Sequence, residues 1–247
     1  MKDMKGKKKS GINYRAQMDE RIASLQREGI RPRLLLHVCC APCSTYCLEL
    51  LTEFFEVTVL FFNPNITDRK EYELRLFEEA RLIGLFNGRN REGAQILFDA
   101  EAAQAAYDAS LFFEAVKGLE SEPEGGARCV KCFELRLSEA ARVAAEGGYD
   151  FFTTTLSISP RKDADALNAA GQKAAKKYGV SFLPSDFKKK NGFLRSIELS
   201  REYDLYRQDY CGCVFSKAER GCARCGVQET CDGKDRLAGA ALTRQNR

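Results

Sequence analysis

The sequence predicts an α/β fold: a parallel sheet with flanking helices, followed by a less regular, cysteine-rich C-terminal segment. Short apolar runs alternate with longer amphipathic stretches, and Gly-, Asn- and Pro-containing turns separate them. Such alternation is typical of βαβ units, in which consecutive parallel strands are joined by helices. In sheets of this kind ligands gather at the carboxyl ends of the strands.

The first elements form the beginning of a βαβ unit. We expect a helix over Asn13 to Glu28 and a buried strand over Leu34 to Val38. A helix over Thr45 to Phe54 and a second strand over Val57 to Phe62 follow, and the Asn63-Pro64-Asn65 turn ends that strand. The first cysteines of the chain therefore lie at the carboxyl end of the first strand.

The rest of the chain continues the alternation and then becomes less regular. In chain order we expect a helix over Asp68 to Ile83, a short strand over Gln95 to Phe98, a helix over Ala100 to Leu119, a helix over Phe133 to Glu146 that Cys129-Val130-Lys131-Cys132 opens, a strand over Asp150 to Leu156, a helix over Ala164 to Tyr178, a basic loop over Lys188 to Phe193, a polar helix over Glu198 to Tyr206 and a loop over Gln208 to Cys213.

The length of 247 residues suits one large domain, which we place at residues 13–216, between a disordered basic leader (1–12) and a cysteine-containing tail (217–247). No apolar run approaches the roughly 18 to 20 residues that span a bilayer. The basic N-terminus lacks the apolar segment of a secretory signal. We therefore expect a cytoplasmic protein without a membrane partner.

Cysteine is the unusual component of this chain. Eleven cysteines are present, and they fall into four groups rather than being scattered. An odd number in a reducing compartment favours metal ligation or redox chemistry over a disulfide framework. The four groups are Cys39, Cys40, Cys43 and Cys47; Cys129 and Cys132; Cys211 and Cys213; and Cys222, Cys225 and Cys231.

The first two groups favour an iron–sulfur site. A Cys129-x-x-Cys132 pair at a helix start is compatible with zinc, a redox dithiol or a cluster, because the helix N-terminus stabilises thiolate in each case. Adjacent Cys39 and Cys40 serve one tetrahedral zinc poorly, whereas they can ligate two iron atoms of one cluster. Cys43 is either an auxiliary ligand or a packed thiol at the helix start, and we interpret Cys47 as a core residue.

The remaining cysteines suggest other chemistry. Cys211-Gly212-Cys213 can close a small, strained disulfide, and strained disulfides are the labile ones, so we favour a redox pair over two further metal ligands. The set Cys222, Cys225 and Cys231 has metal-site spacing but offers only three thiols. The single histidine, His37, lies in the first strand, where a hydrogen-bonded buried imidazole is a better interpretation than a ligand.

Basic residues recur in short clusters near the expected strand ends. Arg161 and Lys162 precede a helix N-terminus, which suits an anion, although ordinary capping by Asp163 explains the same pattern. Clusters of this kind usually only solvate a loop, but a polyanion such as tRNA would explain several on one face. The candidate RNA contacts are Arg161, Lys162, Lys188, Lys189, Lys190 and Arg207.

Five motifs taken together resemble the QueH family of epoxyqueuosine reductases, over roughly residues 13–216. They are His37-Val38-Cys39-Cys40-Ala41-Pro42-Cys43, Asn63-Pro64-Asn65-Ile66, Arg128-Cys129-x-x-Cys132-Phe133-x-x-Arg136-Leu137, Thr154-Thr155-Leu156-x-x-Ser159-Pro160-x-Lys162 and Leu205-Tyr206-Arg207-Gln208-x-Tyr210-Cys211-Gly212-Cys213. No similarity to the cobalamin-dependent epoxyqueuosine reductase is apparent.

The resemblance implies a HUP-like, Rossmann-type sheet and the last step of queuosine synthesis. In that step the epoxide of epoxyqueuosine at the wobble position of tRNA is reduced to the alkene, with water as the by-product. It implies a [4Fe-4S] cluster at Cys39, Cys40, Cys129 and Cys132, an adjacent additional iron, a redox-active Cys211 and Cys213 pair, and an electron donor. The tail beyond Lys217 does not match the family pattern.

Two rival interpretations remain at this point. A structural zinc protein that binds RNA would use the cysteine groups for folding alone, and it would be colourless where an iron–sulfur protein is brown. An ATP-dependent tRNA-thiolating enzyme would need a Gly- or Ser-rich pyrophosphate loop after the first strand. Cys39-Cys40-Ala41-Pro42-Cys43 stands there instead.

Overall fold

A computed structural model describes residues 11–89 and 95–225, with side chains as far as residue 221. Its elements in chain order are α1 (Tyr14–Arg27), β1 (Arg33–His37), α2 (Ala41–Leu51), β2 (Glu56–Leu60), α3 (Arg69–Arg89), β3 (Leu97–Phe98), α4 (Ala100–Ala105), α5 (Ser110–Ala115), α6 (Ala127–Glu146), β4 (Phe151–Thr154), a 3-10 turn (Thr155–Ile158), α7 (Ala164–Tyr178), β5 (Ser181–Phe182), α8 (Gly192–Glu202) and α9 (Val214–Cys225).

The five strands form one parallel sheet in the order β3-β2-β1-β4-β5, which confirms the expected α/β class and is consistent with a HUP-like fold. β1 is central, and its side chains alternate between two apolar clusters. Leu34 and Leu36 pack in one cluster, and Leu35 packs in the other. Burial on both faces explains why β1 is a continuous apolar run.

Two neighbouring strands end together at the carboxyl edge. β1 pairs in parallel with β4, so that His37 lies opposite Thr154. Cys39 and Thr155 therefore leave the sheet side by side, and Cys39 Sγ lies 3.9 Å from Thr155 Oγ1. The sequence predicts that the site lies at this edge. In the structure, the first cysteines lie there next to the loop that contains Lys162.

The helix boundaries place two cysteine groups differently from the sequence prediction. α2 begins at Ala41 rather than near Thr45, because Pro42 suits a first helical turn, and Cys43 is consequently helical. α6 begins at Ala127 rather than Phe133. Cys129 and Cys132 therefore lie within the first two turns of that helix instead of in front of it.

The helix expected over Ala100 to Leu119 is wrong, since two short helices, α4 and α5, occupy this stretch. Asp108 interrupts it by accepting hydrogen bonds from the backbone N–H and the hydroxyl of Ser110. The Tyr107 hydroxyl meanwhile donates to the carbonyl oxygen of Ile66, at 2.9 Å. Competing local and tertiary hydrogen bonds end the helix that the composition favours.

The C-terminal part also differs from expectation. α8 covers Gly192–Glu202, where the sequence suggests a basic loop followed by a later helix. A Cβ at Gly192 would overlap the Phe187 carbonyl and the Tyr46 ring, so this helix start packs tightly. α9 runs from Val214 to Cys225 and crosses the boundary placed between residues 216 and 217. Across the described ranges, no helix combines the length and apolar character needed to cross a membrane.

Candidate active site

Three cysteines at the end of β1 converge on one point. Cys39 Sγ lies 3.7 Å from Cys40 Sγ, and Cys40 Sγ lies 2.7 Å from Cys43 Sγ. All three sulfur atoms fall within 4.8 Å of one another, and we call these residues the cysteine triad. A set made only of thiols suits zinc or iron–sulfur chemistry and disfavours magnesium or calcium. The triad could therefore hold a metal.

The local fold fixes the triad. Cys40 is the N-cap of α2, with an extended backbone, and its carbonyl oxygen accepts hydrogen bonds from the Cys43 and Ser44 N–H groups. The cap turns the chain sharply from strand to helix. As a result, adjacent Cys39 and Cys40 can both direct their sulfur atoms toward Cys43.

The triad favours one thiolate in the absence of metal. Hydrogen bonds from Cys40 and Cys43, together with the charges of Lys162 and Arg136, lower the pKa of Cys39 well below its usual value. Burial raises the pKa of Cys40 to about 12, and the neighbouring thiols together with burial raise the pKa of Cys43. Metal binding at the triad would therefore release protons.

Cys129 and Cys132 lie outside the 4.8 Å group formed by the triad, in the part of the chain that the structure describes. They line a small cavity of about 40 Å³ together with Cys211 and Cys213. Cys129 Sγ accepts a hydrogen bond from the Gly125 N–H at 3.2 Å. Burial raises the pKa of Cys129 and raises that of Cys132 to about 11. Their joint ligation with Cys39 and Cys40 stays a prediction.

The Cys211 to Cys213 turn borders both the cysteine triad and the Cys129 and Cys132 pair. Cys211 lines both the small cavity and a larger one of about 280 Å³ that Cys39 and Cys43 also line. Cys211 Sγ and Cys213 Sγ are 3.6 Å apart, and both cysteines are free thiols. A short movement would bring the two sulfur atoms to the roughly 2.05 Å of a disulfide bond.

The segment after β2 anchors this turn. Asn65 Nδ2 donates to the Cys211 carbonyl at 3.2 Å, and the Thr67 N–H donates to the Gly212 carbonyl at 3.2 Å. Gly212 has a φ of +112°, and a Cβ there would lie 2.8 Å from Ile66 Cγ1. Glycine is thus required at this position by both backbone conformation and space.

Arg75 of α3 is a site residue that the sequence interpretation missed. Its side chain is buried, and its two terminal nitrogens donate to the carbonyl oxygens of Cys211 and Tyr210, each at 3.3 Å. Glu71 pairs with it at 2.7 Å. The signal was present in the sequence, because Arg75 lies between Tyr72 and Leu76 on the apolar stripe of α3.

Lys162 lies between the thiol groups. Burial disfavours its charged form, but the sulfurs of Cys39 and Cys211 outweigh that effect and raise the pKa of Lys162. The same charge helps Cys211: the hydrogen bond from Cys213 and then the nearby Lys162 lower the pKa of Cys211 to about 5. Conversely, the hydrogen bond that Cys213 makes with Cys211 and the negative charge of Cys211 both raise the pKa of Cys213. The pair therefore consists of one thiolate and one thiol.

The predicted RNA-contact residues separate into two groups. Arg161, Lys162 and Arg207 line the larger cavity. Lys189 and Lys190 line a different cavity beside α1, and Lys188 and Lys190 are ion-paired with Asp186 and Asp19. The structure thus brings the first three to the cysteine site and leaves the lysine run away from it. Contact with nucleic acid stays a prediction for both groups.

The interpretation of His37 as a satisfied buried imidazole agrees with the structure. Thr154 Oγ1 lies 2.8 Å from Nδ1, and the Phe62 carbonyl lies 3.1 Å from Nε2, which is consistent with a neutral ring that donates from Nε2. Burial and then the charge of Arg136 lower the pKa of His37 to about 3. Cys47 is also fully buried in the apolar core. The side chains of Cys222, Cys225 and Cys231 lie outside the described residues.

Four buried side-chain atoms lack a hydrogen-bond partner within the described residues. They are Asn65 Oδ1, Glu79 Oε1, Arg128 Nε and Gln208 Oε1. Asn65 and Arg128 line the small cavity, and Gln208 lines the larger one. Buried polar groups are rarely left unpaired, so such atoms indicate places where a ligand or water belongs.

The site therefore combines a cysteine triad that could hold a metal, a second thiol pair and a cavity lined by cationic side chains. Comparison with known protein families agrees with this chemistry, since residues 34–219 match the model of the family described as epoxyqueuosine reductase QueH. The chain belongs to the QueH family. QueH proteins are named as reductases, and this chain, as a member of the family, is an oxidoreductase.

Similar QueH proteins come from distant bacteria. An epoxyqueuosine reductase QueH of Streptococcus pyogenes serotype M1 is 44% identical over 210 residues, which cover 85% of this chain and 80% of that protein. The Staphylococcus aureus protein is 42% identical over 216 residues, covering 87% and 88% of the two chains. The Thermotoga maritima protein is 35% identical over 190 residues, covering 76% and 91%. QueH membership favours the reductase interpretation over the zinc-protein and thiolation alternatives.

Proposed function

We propose that this QueH protein reduces epoxyqueuosine to queuosine at the wobble position of tRNA, the last step of queuosine synthesis, in the cytoplasm. The observation that carries the proposal is the position of Cys211, which borders both the cysteine triad and the small cavity with Cys129 and Cys132. A thiol pair beside thiols that could hold a metal suits epoxide reduction, which needs two electrons and an electrophile for the departing oxygen.

The electron balance supports the thiol pair. Reduction of an epoxide to an alkene and water consumes two electrons and two protons. Oxidation of the Cys211 thiolate and the Cys213 thiol to a disulfide supplies both electrons and one proton, and solvent supplies the second proton, so that epoxide, thiolate, thiol and one proton give disulfide, alkene and water. An external reductant, the unidentified electron donor, then returns the disulfide to the dithiol.

A [4Fe-4S] cluster on Cys39, Cys40, Cys129 and Cys132, with an adjacent iron, is the cofactor we propose. The all-thiol triad and the second thiol pair suit iron–sulfur chemistry, with Cys43 as an auxiliary ligand. When bound, these groups would supply single-electron transfer and a Lewis acid for the departing oxygen. Zinc on the same thiols is the rival arrangement.

The protein's own residues orient and charge the site. Arg75 and Asn65 hold the Cys211 carbonyl, and Lys162 holds positive charge beside Cys39 and Cys211. Arg161, Lys162 and Arg207 line the larger cavity, which the anticodon nucleotide would enter. Their charge favours a phosphate backbone.

The decisive experiment is anaerobic reconstitution with iron and sulfide, followed by incubation with reductant and epoxyqueuosine-containing tRNA and by nucleoside mass analysis. We expect a brown protein that forms queuosine. A colourless zinc protein without turnover would overturn the proposal. Cys213→Ser should lose multiple turnover, and full retention would refute the thiol-pair role.

The proposed tRNA contacts are tested by salt dependence. Each lost phosphate contact reduces the slope of log affinity against log salt by about 1. Arg161→Ala and Arg207→Ala should therefore flatten the slope. Lys188→Ala, Lys189→Ala and Lys190→Ala form the comparison set and show whether this lysine run also contacts RNA. Lys189 and Lys190 line the cavity beside α1.

A further inference from the structure

Gln208 has a buried acceptor that faces no donor. Its Oε1 atom is inaccessible to solvent and has no hydrogen-bond partner among the residues described. The residue lies in the irregular segment between α8 and α9, three positions before Cys211, and lines the larger cavity. A buried amide oxygen without a partner is costly, unless a ligand or water completes it.

The surroundings of Gln208 supply donors in excess. The walls of the larger cavity carry more cations than carboxylates. The cations are Arg75, Arg136, Arg161, Lys162, Arg207 and Arg220, and the carboxylates are Glu124 and Asp209. Four of these cations already donate elsewhere: Arg75 to Glu71, Arg136 to Asn63, Arg207 to Ser200 and Arg220 to Glu124. A molecule that enters the cavity can supply the donor that the described residues do not give to Gln208.

The charge of the cavity narrows the chemical class of that partner. The excess positive charge of the cavity wall would repel a cationic donor, whereas it does not repel a neutral hydroxyl group. The volume of about 280 Å³ suits one small ring and excludes an anticodon loop. Epoxyqueuosine carries a small cyclopentane ring with two hydroxyl groups beside its epoxide, and this step rests on the proposed function.

We propose that Gln208 is a specificity-determining residue that accepts a hydrogen bond from a ring hydroxyl of epoxyqueuosine. Tyr210, Cys211, Cys39 and Cys43 line the same cavity, so a ring bound beside Gln208 shares that cavity with these thiols. The contact selects the modified nucleotide over an unmodified guanine, because guanine has no hydroxyl-bearing ring to fill the cavity. The epoxide is thereby held beside the reacting thiols.

The test compares two tRNAs on the reconstituted holoenzyme. One carries epoxyqueuosine and the other is identical except for guanine at the wobble position. Gln208→Met removes the acceptor at similar volume, and Gln208→Glu retains an acceptor. Gln26→Met makes the same change at an exposed position in α1.

We expect Gln208→Met to weaken binding of the epoxyqueuosine tRNA and to lower kcat/KM by about 10- to 100-fold, the effect of losing one buried hydrogen bond. Gln208→Met should leave binding of the guanine tRNA unchanged, and Gln26→Met should behave as wild type toward both tRNAs. Gln208→Glu keeps an acceptor, and its added negative charge acts on both tRNAs alike, so it should keep the wild-type ratio of the two affinities. Equal weakening of both tRNAs would show a structural role, and no change in either would show that water satisfies Gln208. Each result overturns the inference.

The failure of this inference differs from failure of the proposed function. If the wild-type holoenzyme makes no queuosine, the proposed function falls, whatever Gln208 does. If wild type makes queuosine and Gln208→Met still discriminates between the two tRNAs as wild type does, only the inference falls. The two questions are therefore answered by separate measurements on the same samples.

Discussion

Gly212 packs its Cα face directly against Ile66, so that a Cβ at residue 212 would lie 2.8 Å from Ile66 Cγ1. This contact joins the Cys211 to Cys213 turn to the segment that follows β2. Asn65 and Thr67, on either side of Ile66, donate hydrogen bonds to the same turn. The position of the turn that carries the two sulfur atoms is thus set also by the segment after β2 and not by the turn alone.

Gly212→Ala should misplace the thiol pair. The positive φ and the clash with Ile66 together cost about 1 to 3 kcal/mol and displace the turn. We expect slower disulfide formation between Cys211 and Cys213, measured by rapid oxidation and mass analysis. Gly179→Ala is the matched control, since Gly179 also has a positive φ but a Cβ there meets nothing within 4 Å. Similar oxidation kinetics in both variants would contradict this account.

Cys211 should react as a thiolate in mildly acidic solution. Its pKa is about 5, lowered chiefly by the hydrogen bond from Cys213. Iodoacetamide labelling of the peptide that contains Cys211 should therefore reach half its maximal rate near pH 5. Cys213→Ala removes the donor and should shift that midpoint upward, whereas Cys213→Ser keeps a donor and should shift it less. Identical midpoints in the two variants would exclude the hydrogen bond as the cause.

Glu79 should make stability depend on pH. Burial raises its pKa from 4.5 to about 8, so the folded protein binds a proton that the unfolded chain releases between those values. This contribution is fully present below pH 4.5 and is lost as pH rises toward 8, with a slope of at most about 1.4 kcal/mol per pH unit. Glu79→Gln mimics the protonated carboxyl, and its urea midpoint should fall less between pH 5 and pH 8.

The control for Glu79 is Glu53→Gln, which removes the same charge at an exposed position. Its urea midpoint should follow wild type across the same pH range. If Glu79→Gln also followed wild type, Glu79 would be ionised in the folded protein. Its neighbour Ser44, 2.9 Å away, would then have to stabilise a buried carboxylate.

Cys43 and Cys47 should differ in their effect on metal content. Cys43 belongs to the triad, whereas Cys47, one turn later in α2, is buried in the apolar core. Cys43→Ala should reduce the iron bound per chain after anaerobic reconstitution. Cys47→Ala should leave the iron content unchanged and lower stability by about 1 kcal/mol. Equal iron in both variants would place Cys43 among packing residues.

The sequence predicts most of the central sheet because β1 is an apolar run buried on both faces, while β2 and β4 are rich in β-branched and aromatic residues. The edge strands β3 and β5 have two residues each, and a pairing that short leaves little pattern. The break between α4 and α5 depends on Tyr107 reaching Ile66 across the fold, which local propensity does not encode.

The cysteine pairs at the site are visible in the sequence, but their surroundings are less so. The carboxyl-edge rule correctly brings Cys39 next to the loop with Lys162. Arg75 is hidden because a charged residue on an apolar helix face is usually read as a break in the pattern rather than as a buried hydrogen-bond donor. That the side-chain oxygen of Gln208 lacks a hydrogen-bond partner is visible only in the three-dimensional structure, where the positions of the neighbouring donors are known.

Cys211 lies in the wall of the larger cavity, while Cys213 is buried behind it. Under the proposed function, a reductant that attacks Cys211 from the larger cavity uses the same space as the anticodon nucleotide. The two reactants then bind to the enzyme one after the other, because neither can bind productively while the other occupies the larger cavity. Double-reciprocal plots at several reductant concentrations should give parallel lines, the pattern of ping-pong kinetics, and intersecting lines would require a separate route for electrons.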